Sequence, residues 1–170
     1  MIHVPRLVLI GPPGAGKTTT GELVGARLGV PVHDTDAAIA AGEGRSIAEI
    51  FIADGEDAFR ALERDEVVRA LAEEPGVVVL GGGAPMDPLV QRLLAGVQVV
   101  FLDVAIADAA KRVGFDGTRP LLAVNPRATW TALMKERRPV YERLATHRVD
   151  TAGRTAEQVA DEIIALVGSA

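Results

Sequence analysis

"RLVLIGPPGAGKTTTGELVGARLG" (residues 6–29) runs from an apolar, strand-like segment through a glycine-rich turn into a helix-like segment. Within it, "GPPGAGKT" (residues 11–18) matches the phosphate-binding pattern G-x-x-x-x-G-K-[ST] at every fixed position. The pattern lies between a predicted strand and a predicted helix, which is the structural context that such a loop needs. The stretch therefore predicts a nucleoside triphosphate site at the end of the first strand.

The chemistry of this loop explains its residue types. Its glycines allow conformations that turn successive backbone N–H groups toward phosphate oxygens, and the following helix adds the positive end of its dipole. Lys17 is expected to reach the β- and γ-phosphates, and the Thr18 hydroxyl group to ligate Mg²⁺. A chance lysine in an ordinary glycine-rich turn is the weaker alternative. The residues expected to bind ATP here are Gly14, Ala15, Gly16, Lys17, Thr18 and Thr19.

Short valine-rich segments alternate with helix-like segments along the whole chain. Such runs, without strict polar alternation, suit a parallel sheet that is buried on both faces. The predicted strands are residues 6–10, 30–34, 77–80, 97–103 and 147–150. Helix-start signals lie between them, in "SIAE" and "TAEQ" as capping boxes and in "DP" at Asp87 and Pro88. The pattern predicts one α/β domain over residues 1–170, a three-layer α/β/α arrangement around a five-stranded parallel sheet.

Length and composition are those of an ordinary globular protein. The 170 residues suffice for one domain, and 48% hydrophobic with 24% charged residues argue against a disordered chain. The apolar runs are too short to cross a bilayer, and a formal net charge of -5 argues against non-specific nucleic-acid binding. The lack of cysteine is compatible with a reducing cytoplasm, and the terminal helix gives no sign of an obligate partner. We expect a cytoplasmic monomer.

Two aspartates follow the second predicted strand, in "HDTD" (residues 33–36). Because ligands of an open parallel sheet bind beyond the carboxyl ends of the strands, Asp34 and Asp36 are expected near the phosphate-binding loop. One carboxylate could hold Mg²⁺ through water, while the other orients or deprotonates an acceptor hydroxyl group. The alternative is purely local, since these residue types are also good helix caps.

Three consecutive glycines, Gly81, Gly82 and Gly83, follow the third predicted strand. Because glycine loses much conformational entropy on folding, three in a row favour a place where the backbone approaches a ligand or another segment closely. A loose turn is the alternative. The strand lacks the aspartate that ends a Walker B strand. "VVFLD" (residues 99–103) has one, but suits an ordinary buried strand ending in a cap equally well.

Arginines form a third group of candidate site residues. Arg60 lies on a predicted helix, and Arg119 lies in a segment rich in helix breakers that predicts a mobile flap. Arg137 and Arg138 precede Pro139, which predicts a disrupted helix. Arginine suits a bidentate grip on a carboxylate and the stabilisation of a phosphoryl group in transfer. Taken singly, each is more simply explained as a solvated surface charge.

In chain order, these segments resemble the shikimate kinase family. The phosphate-binding loop is followed by "DTD", by "RSIAEIFIADGEDAFR" (residues 45–60) and by "GGGA", and then by "TRPLL" and "RRPVY". The likeness spans nearly the whole chain, and the combination of "DTD", "GGGA" and "RPLL" is more specific than the loop alone. The resemblance implies a P-loop fold of the nucleoside monophosphate kinase type. It further implies a mobile lid at about residues 114–126 and a substrate-binding subregion at about residues 34–64.

The resemblance also implies an activity and the residues that carry it. The expected reaction is ATP-dependent phosphorylation of the 3-hydroxyl of shikimate, a step towards chorismate and the aromatic amino acids, with Mg²⁺ as cofactor. In this assignment Lys17 contacts the phosphates and Thr18 ligates the metal, which Asp34 supports through water. Asp36 binds substrate hydroxyl groups and is the candidate base.

The remaining implied roles concern the acid and the adenine base. Arg60 and Arg137 clamp the shikimate carboxylate, and the three glycines of residues 81–83 carry its ring along the backbone. Arg119 closes with the lid onto the phosphates, and Arg112 stacks beside adenine. The family motif R-x-P-x-Y selects Arg137, and its neighbour in the sequence, also an arginine, is the alternative.

Two other functions compete with this reading. Another small-metabolite kinase of the same fold, such as a gluconate kinase, would share the loop and the lid but need no paired arginines. A nucleotide-dependent switch or binding module would leave "DTD", "GGGA" and the arginines without a role. The acidic balance and the lack of a second motor domain disfavour a helicase fragment.

Overall fold

The central sheet has five strands, all parallel, in the computed structural model, which describes residues 5–113 and 125–168. The strands are β1 (Leu7–Ile10), β2 (Val32–Asp34), β3 (Val77–Val79), β4 (Val99–Asp103) and β5 (His147–Asp150). Their order across the sheet is β2-β3-β1-β4-β5, with parallel pairing between all neighbours. The predicted five-stranded parallel sheet is confirmed.

Helices connect these strands and follow the last one. Those within the described residues are α1 (Lys17–Leu28), α2 (Thr35–Glu43), α3 (Ile47–Asp54), α4 (Glu56–Glu73), α5 (Pro88–Leu93), α6 (Ile106–Val113), α7 (Pro126–Leu144) and α8 (Ala156–Val167). A short 3-10 turn covers Ala84–Met86. The strand-to-helix connections at the carboxyl end of the sheet are short, so each strand delivers its next residues directly to that edge.

Helices cover both faces of the sheet. Leu9 and Val79 are paired and share one face, where α1 packs so closely that a Cβ on Gly21 would lie 2.9 Å from Val79 Cγ2. Phe101 pairs with the residue after Leu9, so its side chain points to the opposite face. There the Tyr141 ring of α7 packs against it, with 5.1 Å between ring centroids. The predicted three-layer arrangement is confirmed.

The predicted helix starts are confirmed by their caps. The Asp87 carboxylate accepts hydrogen bonds from the first backbone N–H groups of α5, and Pro88 is the first residue of that helix. Thr155 and Gln158 form a complete capping box at the start of α8. Ser46 accepts from the backbone N–H of Glu49 at the start of α3. Local sequence therefore fixes where these helices enter the fold.

The expected helix disruption at Pro139 is wrong. Pro139 lies inside α7, which continues to Leu144. Proline removes one backbone donor, and buried residues on both sides of Pro139 hold the helix in place through tertiary packing. The predicted lid, residues 114–126, lies outside the described residues except for its last two positions. Pro126 is the first residue of α7 and not part of a loop.

A small second core lies beside the main one. The main core surrounds the sheet, whereas Ile39, Ile50 and Phe59 form a separate buried cluster between α2, α3 and α4. This cluster falls within the predicted substrate-binding subregion, residues 34–64. Within the described ranges, none of the helices has the length and apolarity required to cross a bilayer.

Candidate active site

The candidate site lies at the carboxyl edge of β1, β2 and β3, where ligands bind in open parallel sheets. A cavity of about 640 Å³ opens there. The phosphate-binding loop after β1, Asp34 and Asp36 after β2, and Gly81 and Gly82 after β3 line it. Three strands that are adjacent in space thus bring together residues that are far apart in the sequence.

The phosphate-binding loop depends on its glycines. Gly14 and Gly16 have φ angles of 86° and 81°, which are accessible to glycine at little cost. A Cβ on Gly14 would also lie 2.8 Å from the Ala109 Cα of α6. The Lys17 ammonium group donates hydrogen bonds to the carbonyl oxygens of Gly11 at 2.8 Å and Pro12 at 3.1 Å. The lysine is thus folded over the loop in which its phosphate ligand is expected.

A buried indole fixes the outer part of this loop. Trp130 of α7 is buried and donates from Nε1 to the carbonyl oxygen of Pro13 at 3.0 Å. Since the same helix carries Arg137, one rigid element contacts both the phosphate-binding loop and the opposite half of the site. The loop geometry is therefore tied to α7 as well as to its own helix.

The residues predicted to serve Mg²⁺ are in direct contact. The Thr18 hydroxyl group donates to Asp34 Oδ2 at 2.6 Å, while Asp34 Oδ1 accepts from the backbone N–H of Ala37. Asp34 is therefore the cap of α2, as the local interpretation predicts, and it also lies beside the phosphate-binding loop, where its role toward Mg²⁺ stays a prediction. Hydroxyl and carboxylate oxygens are ligands that Mg²⁺ prefers, and the pair fits that ion.

The three glycines after β3 each face a different charged side chain. A Cβ on Gly81 would lie 2.7 Å from Asp36 Oδ1, and one on Gly83 would lie 2.4 Å from Arg60 Nη1. A Cβ on Gly82 would lie 3.2 Å from Arg137 Nη1. The loose-turn alternative is excluded, because the missing side chains make room for one carboxylate and two guanidinium groups.

Arg60 is held by carboxylates of its own helix. It donates to Glu63 Oε1 at 2.8 Å and to Glu56 Oε2 at 3.2 Å. Burial raises the pKa of Glu63 above its ordinary value, and the adjacent Arg60 offsets part of that rise. Burial disfavours the charged form of Arg60, but Glu63 and Glu56 outweigh it and raise the pKa of Arg60. The guanidinium group also lies 5.3 Å from the centre of the Phe59 ring.

Arg137 and Arg138 have different surroundings. The Arg137 side chain is buried beside Gly82 and lines, together with Arg60, a second cavity of about 490 Å³. Arg138 instead donates to Asp103 Oδ2 at 2.6 Å, and Arg148 of β5 donates to the same oxygen atom at 2.7 Å. The geometry therefore brings Arg137 and not Arg138 to the candidate site.

The aspartate of "VVFLD" belongs to this structural cluster. Burial by itself would raise the pKa of Asp103, but hydrogen bonds from Arg138 and Arg148 outweigh it and hold the pKa below its ordinary value. Both guanidinium groups converge on the carboxylate at the end of β4. The interpretation of "VVFLD" as an ordinary buried strand is therefore confirmed, but its terminal aspartate pairs with arginines of α7 and β5 where a helix cap was expected.

Comparisons with known proteins agree with this geometry. The family model described as shikimate kinase matches residues 13–167. The shikimate kinase of Thermobifida fusca is 55% identical over 159 residues, which cover 94% of this chain and 92% of that protein. The shikimate kinase of Streptomyces coelicolor is 51% identical, with 93% and 92% covered. This chain belongs to the shikimate kinase family.

A solved structure supports the same assignment. Shikimate kinase from Acinetobacter baumannii in complex with shikimate has a TM-score of 0.92 and 32% identity, covering 96% of this chain and 93% of that one. The fold predicted from the resemblance, a P-loop fold of the nucleoside monophosphate kinase type, is confirmed. Membership of the shikimate kinase family also confirms the predicted kinase activity with ATP and shikimate as substrates.

The structure brings most of the predicted site residues of this shikimate kinase family member together. The two cavities are lined by both aspartates, the triple glycine, Arg60, Arg137 and the predicted phosphate-binding residues apart from Ala15, which is buried. Arg119 lies outside the described residues. Arg112 lies on α6, the helix that contacts Gly14 through Ala109.

Sequence reasoning missed two buried partners of the shikimate kinase arginines. Glu63, which pairs with Arg60, lies three residues after it on one helix, a spacing that could have identified it. Tyr141 donates from its hydroxyl group to the carbonyl oxygen of Gly82 at 2.6 Å. No local sequence pattern predicts that contact, because 59 residues separate the two partners.

Proposed function

We propose that this chain transfers the γ-phosphoryl group of ATP to the 3-hydroxyl of shikimate, giving shikimate 3-phosphate and ADP. The observation that carries the proposal is the turn after β3, where three glycines set Asp36, Arg137 and Arg60 side by side next to the phosphate-binding loop. A small carboxylic acid with several hydroxyl groups needs this combination of guanidinium groups, carboxylate and close backbone.

The acid is held at its carboxylate. In the proposed complex Arg60 and Arg137 donate to the two carboxylate oxygens, and the ring lies along the backbone of residues 81–83. Both guanidinium groups are fixed beforehand, Arg60 by Glu63 and Arg137 by burial, so little side-chain entropy is lost on binding. A rival acceptor such as gluconate lacks the rigid ring that this arrangement would orient.

The hydroxyl group to be phosphorylated faces Asp36. Its oxygen forms the bond to the γ-phosphorus as the bridging oxygen leaves with ADP, and Asp36 accepts the proton. Lys17 exchanges its hydrogen bonds to the loop carbonyls for phosphate oxygens and neutralises charge there. Mg²⁺, held by Thr18 and through water by Asp34, would neutralise further phosphate charge when bound.

Other assignments extend this proposal. Gly14, Ala15, Gly16 and Thr19 contact the ATP phosphates with their backbone or side-chain donors, and Arg112 and Arg119 act on the nucleotide as predicted from the family resemblance. We propose one domain that contains a substrate-binding subregion at residues 34–64, supported by the separate core of that segment. We also propose a monomer that acts in the cytoplasm, where ATP is available, without nucleic-acid or membrane partners.

An ADP-release assay tests the reaction. ADP should appear rapidly only when shikimate and Mg²⁺ are both present, and chelation of the metal should stop it. Correlation of the product's phosphorus with the ring proton at position 3 by NMR would establish the acceptor hydroxyl. Equal ADP release with gluconate, or without any acid, would contradict the proposal.

A further inference from the structure

We propose that Tyr141 is a positioning residue for the acid-binding arginine. Its hydroxyl group connects the Arg137 guanidinium group to the backbone of the triple-glycine turn, so that the arginine and the turn keep one relative geometry. The inference rests on the proposed binding of shikimate by Arg137, and it assigns a role to a side chain that touches no substrate.

The contacts form a continuous chain. Tyr141 is fully buried, and its hydroxyl group donates to the carbonyl oxygen of Gly82 at 2.6 Å. Arg137 lies four residues earlier on the same face of α7, its Nη1 would lie 3.2 Å from a Cβ on Gly82, and its charge acts on the pKa of the same hydroxyl group. Since the guanidinium group has only donors, the hydroxyl oxygen is the acceptor in the interaction proposed between them. Each partner therefore uses a different part of the hydroxyl group.

Protonation keeps the direction of this chain fixed. Burial raises the pKa of Tyr141 to about 12, against the opposing effect of Arg137. The hydroxyl group stays neutral at physiological pH, so its proton remains available to the Gly82 carbonyl. Its oxygen lone pairs then remain available to Arg137, and the arginine retains other donors for an anionic ligand.

Packing holds the ring independently of the hydroxyl group. The Tyr141 ring packs against Phe101 on the sheet, with centroids 5.1 Å apart. Phenylalanine at position 141 would preserve this contact and remove only the hydrogen-bond relay. Tyr141→Phe is therefore a selective test of the positioning role.

The first experiment measures binding of both ligands by calorimetry. Tyr141→Phe should weaken shikimate binding by about 5- to 20-fold, because a charge-assisted hydrogen bond is lost, and leave the Kd for ADP within about twofold. In an Arg137→Ala background the same change should have no further effect on shikimate binding. Ile163→Val, which removes one methyl group from the core under α8, controls for loss of stability and should leave both Kd values unchanged.

The second experiment uses the fact that Tyr141 is the only tyrosine of the chain. Fluorotyrosine incorporated during expression gives one fluorine resonance from this buried site without changing the backbone. Shikimate should shift that resonance, and the shift should be absent in Arg137→Ala.

The positioning role would be overturned if Tyr141→Phe bound shikimate with wild-type affinity or lost affinity equally for both ligands. A fluorine resonance that did not shift on addition of shikimate would overturn it as well. Failure of the unaltered protein to bind shikimate would overturn the proposed function as well.

Discussion

Each glycine of the turn after β3 occupies the space beside a different charged side chain. Gly83 shows what this means, because it has a φ angle of -91°, which any residue adopts. The requirement for glycine at this position is therefore steric, and the atoms in the way belong to the tip of Arg60. A flexible side chain can move aside, so the cost of a Cβ falls on binding geometry more than on folding.

Gly83→Ala should therefore separate affinity from stability. We expect the free energy of unfolding to change by less than about 1 kcal/mol, because only the end of one side chain must shift. Displacement of the Arg60 guanidinium group should weaken shikimate binding by about 10- to 100-fold. Urea denaturation and calorimetry with shikimate measure the two quantities.

Gly42→Ala is the matched control for this change. Gly42 lies within α2, and a Cβ there would meet nothing within 4 Å. The variant should gain up to about 1 kcal/mol of stability from helix propensity and bind shikimate normally. A Gly83→Ala protein that binds shikimate as tightly as Gly42→Ala would contradict the proposed place of Arg60.

Removal of either acid-binding arginine should affect the affinity for shikimate far more than the affinity for ATP. Arg60→Ala or Arg137→Ala should weaken shikimate binding by about 30- to 1,000-fold, because a charged hydrogen-bond partner is lost from a wholly or partly buried position, and should change ATP binding much less. Titration of each variant with each ligand measures this difference. Equal losses for both ligands would show that the arginines do not form a separate acid site.

At the scale of whole elements, the orientation of α7 determines which strand end each of its arginines contacts. Successive residues of a helix point about 100° apart, so Arg137 reaches the glycine turn while Arg138 reaches Asp103. The second contact holds the helix to the ends of β4 and β5. This contact outside the candidate site thereby fixes the orientation of α7 about its own axis.

The stabilising effect of Asp103 should depend on pH. Its folded pKa is depressed, so its contribution is fully present above its unfolded pKa of about 3.9 and is lost as the pH falls through the folded value. At pH 7 we expect Asp103→Asn to lower the free energy of unfolding by about 1–2 kcal/mol, a figure reduced because both arginines are partly exposed.

Denaturation of both proteins between pH 2 and pH 7 measures this effect. The difference between wild type and Asp103→Asn should shrink in acid. Asp161→Asn is the control, since its ion pair with Arg27 is exposed and should contribute less than about 1 kcal/mol. A difference between wild type and Asp103→Asn that is constant with pH would contradict the proposed cluster.

The sequence predicts those features of the structure that depend on residues close together in the chain, and it predicts contacts between distant segments less well. The phosphate-binding loop and the caps at Asp87 and Thr155 are local, and the sequence predicts them correctly. Pro139 misleads because tertiary packing outweighs its intrinsic preference. The close approach of Gly83 to Arg60 depends on how β3 and α4 pack against each other. It therefore could not be predicted from the spacing of residues in the sequence.

At the scale of the whole molecule, the nucleotide half of the site rests on the main core, whereas the acid half is supported by both cores. The phosphate-binding loop follows β1 in the main core, whereas Arg60 lies on the helix that also contributes Phe59 to the small second cluster. Each ligand should therefore stabilise the fold through its own set of contacts. The two effects are distinguishable in one thermal experiment.

ADP at about 100 times its Kd should raise Tm by roughly 5–10 °C, since such occupancy adds about 2.7 kcal/mol. Lys17→Ala should lose most of this rise, retain the rise caused by shikimate, and abolish turnover. Circular dichroism of the variant should match wild type. If Lys17→Ala lost the Tm increases caused by both ligands, the lysine would be required for the fold as a whole and would have no specific role in nucleotide binding.

The contact between Trp130 and Pro13 has a practical consequence. Trp130 is the only tryptophan of the chain, and its indole nitrogen is bonded to the loop that is expected to wrap the phosphates. Its emission therefore comes from a single chromophore beside the expected nucleotide pocket. We expect this emission to change when the pocket is occupied, so that stopped-flow mixing should follow nucleotide binding and release without a dye.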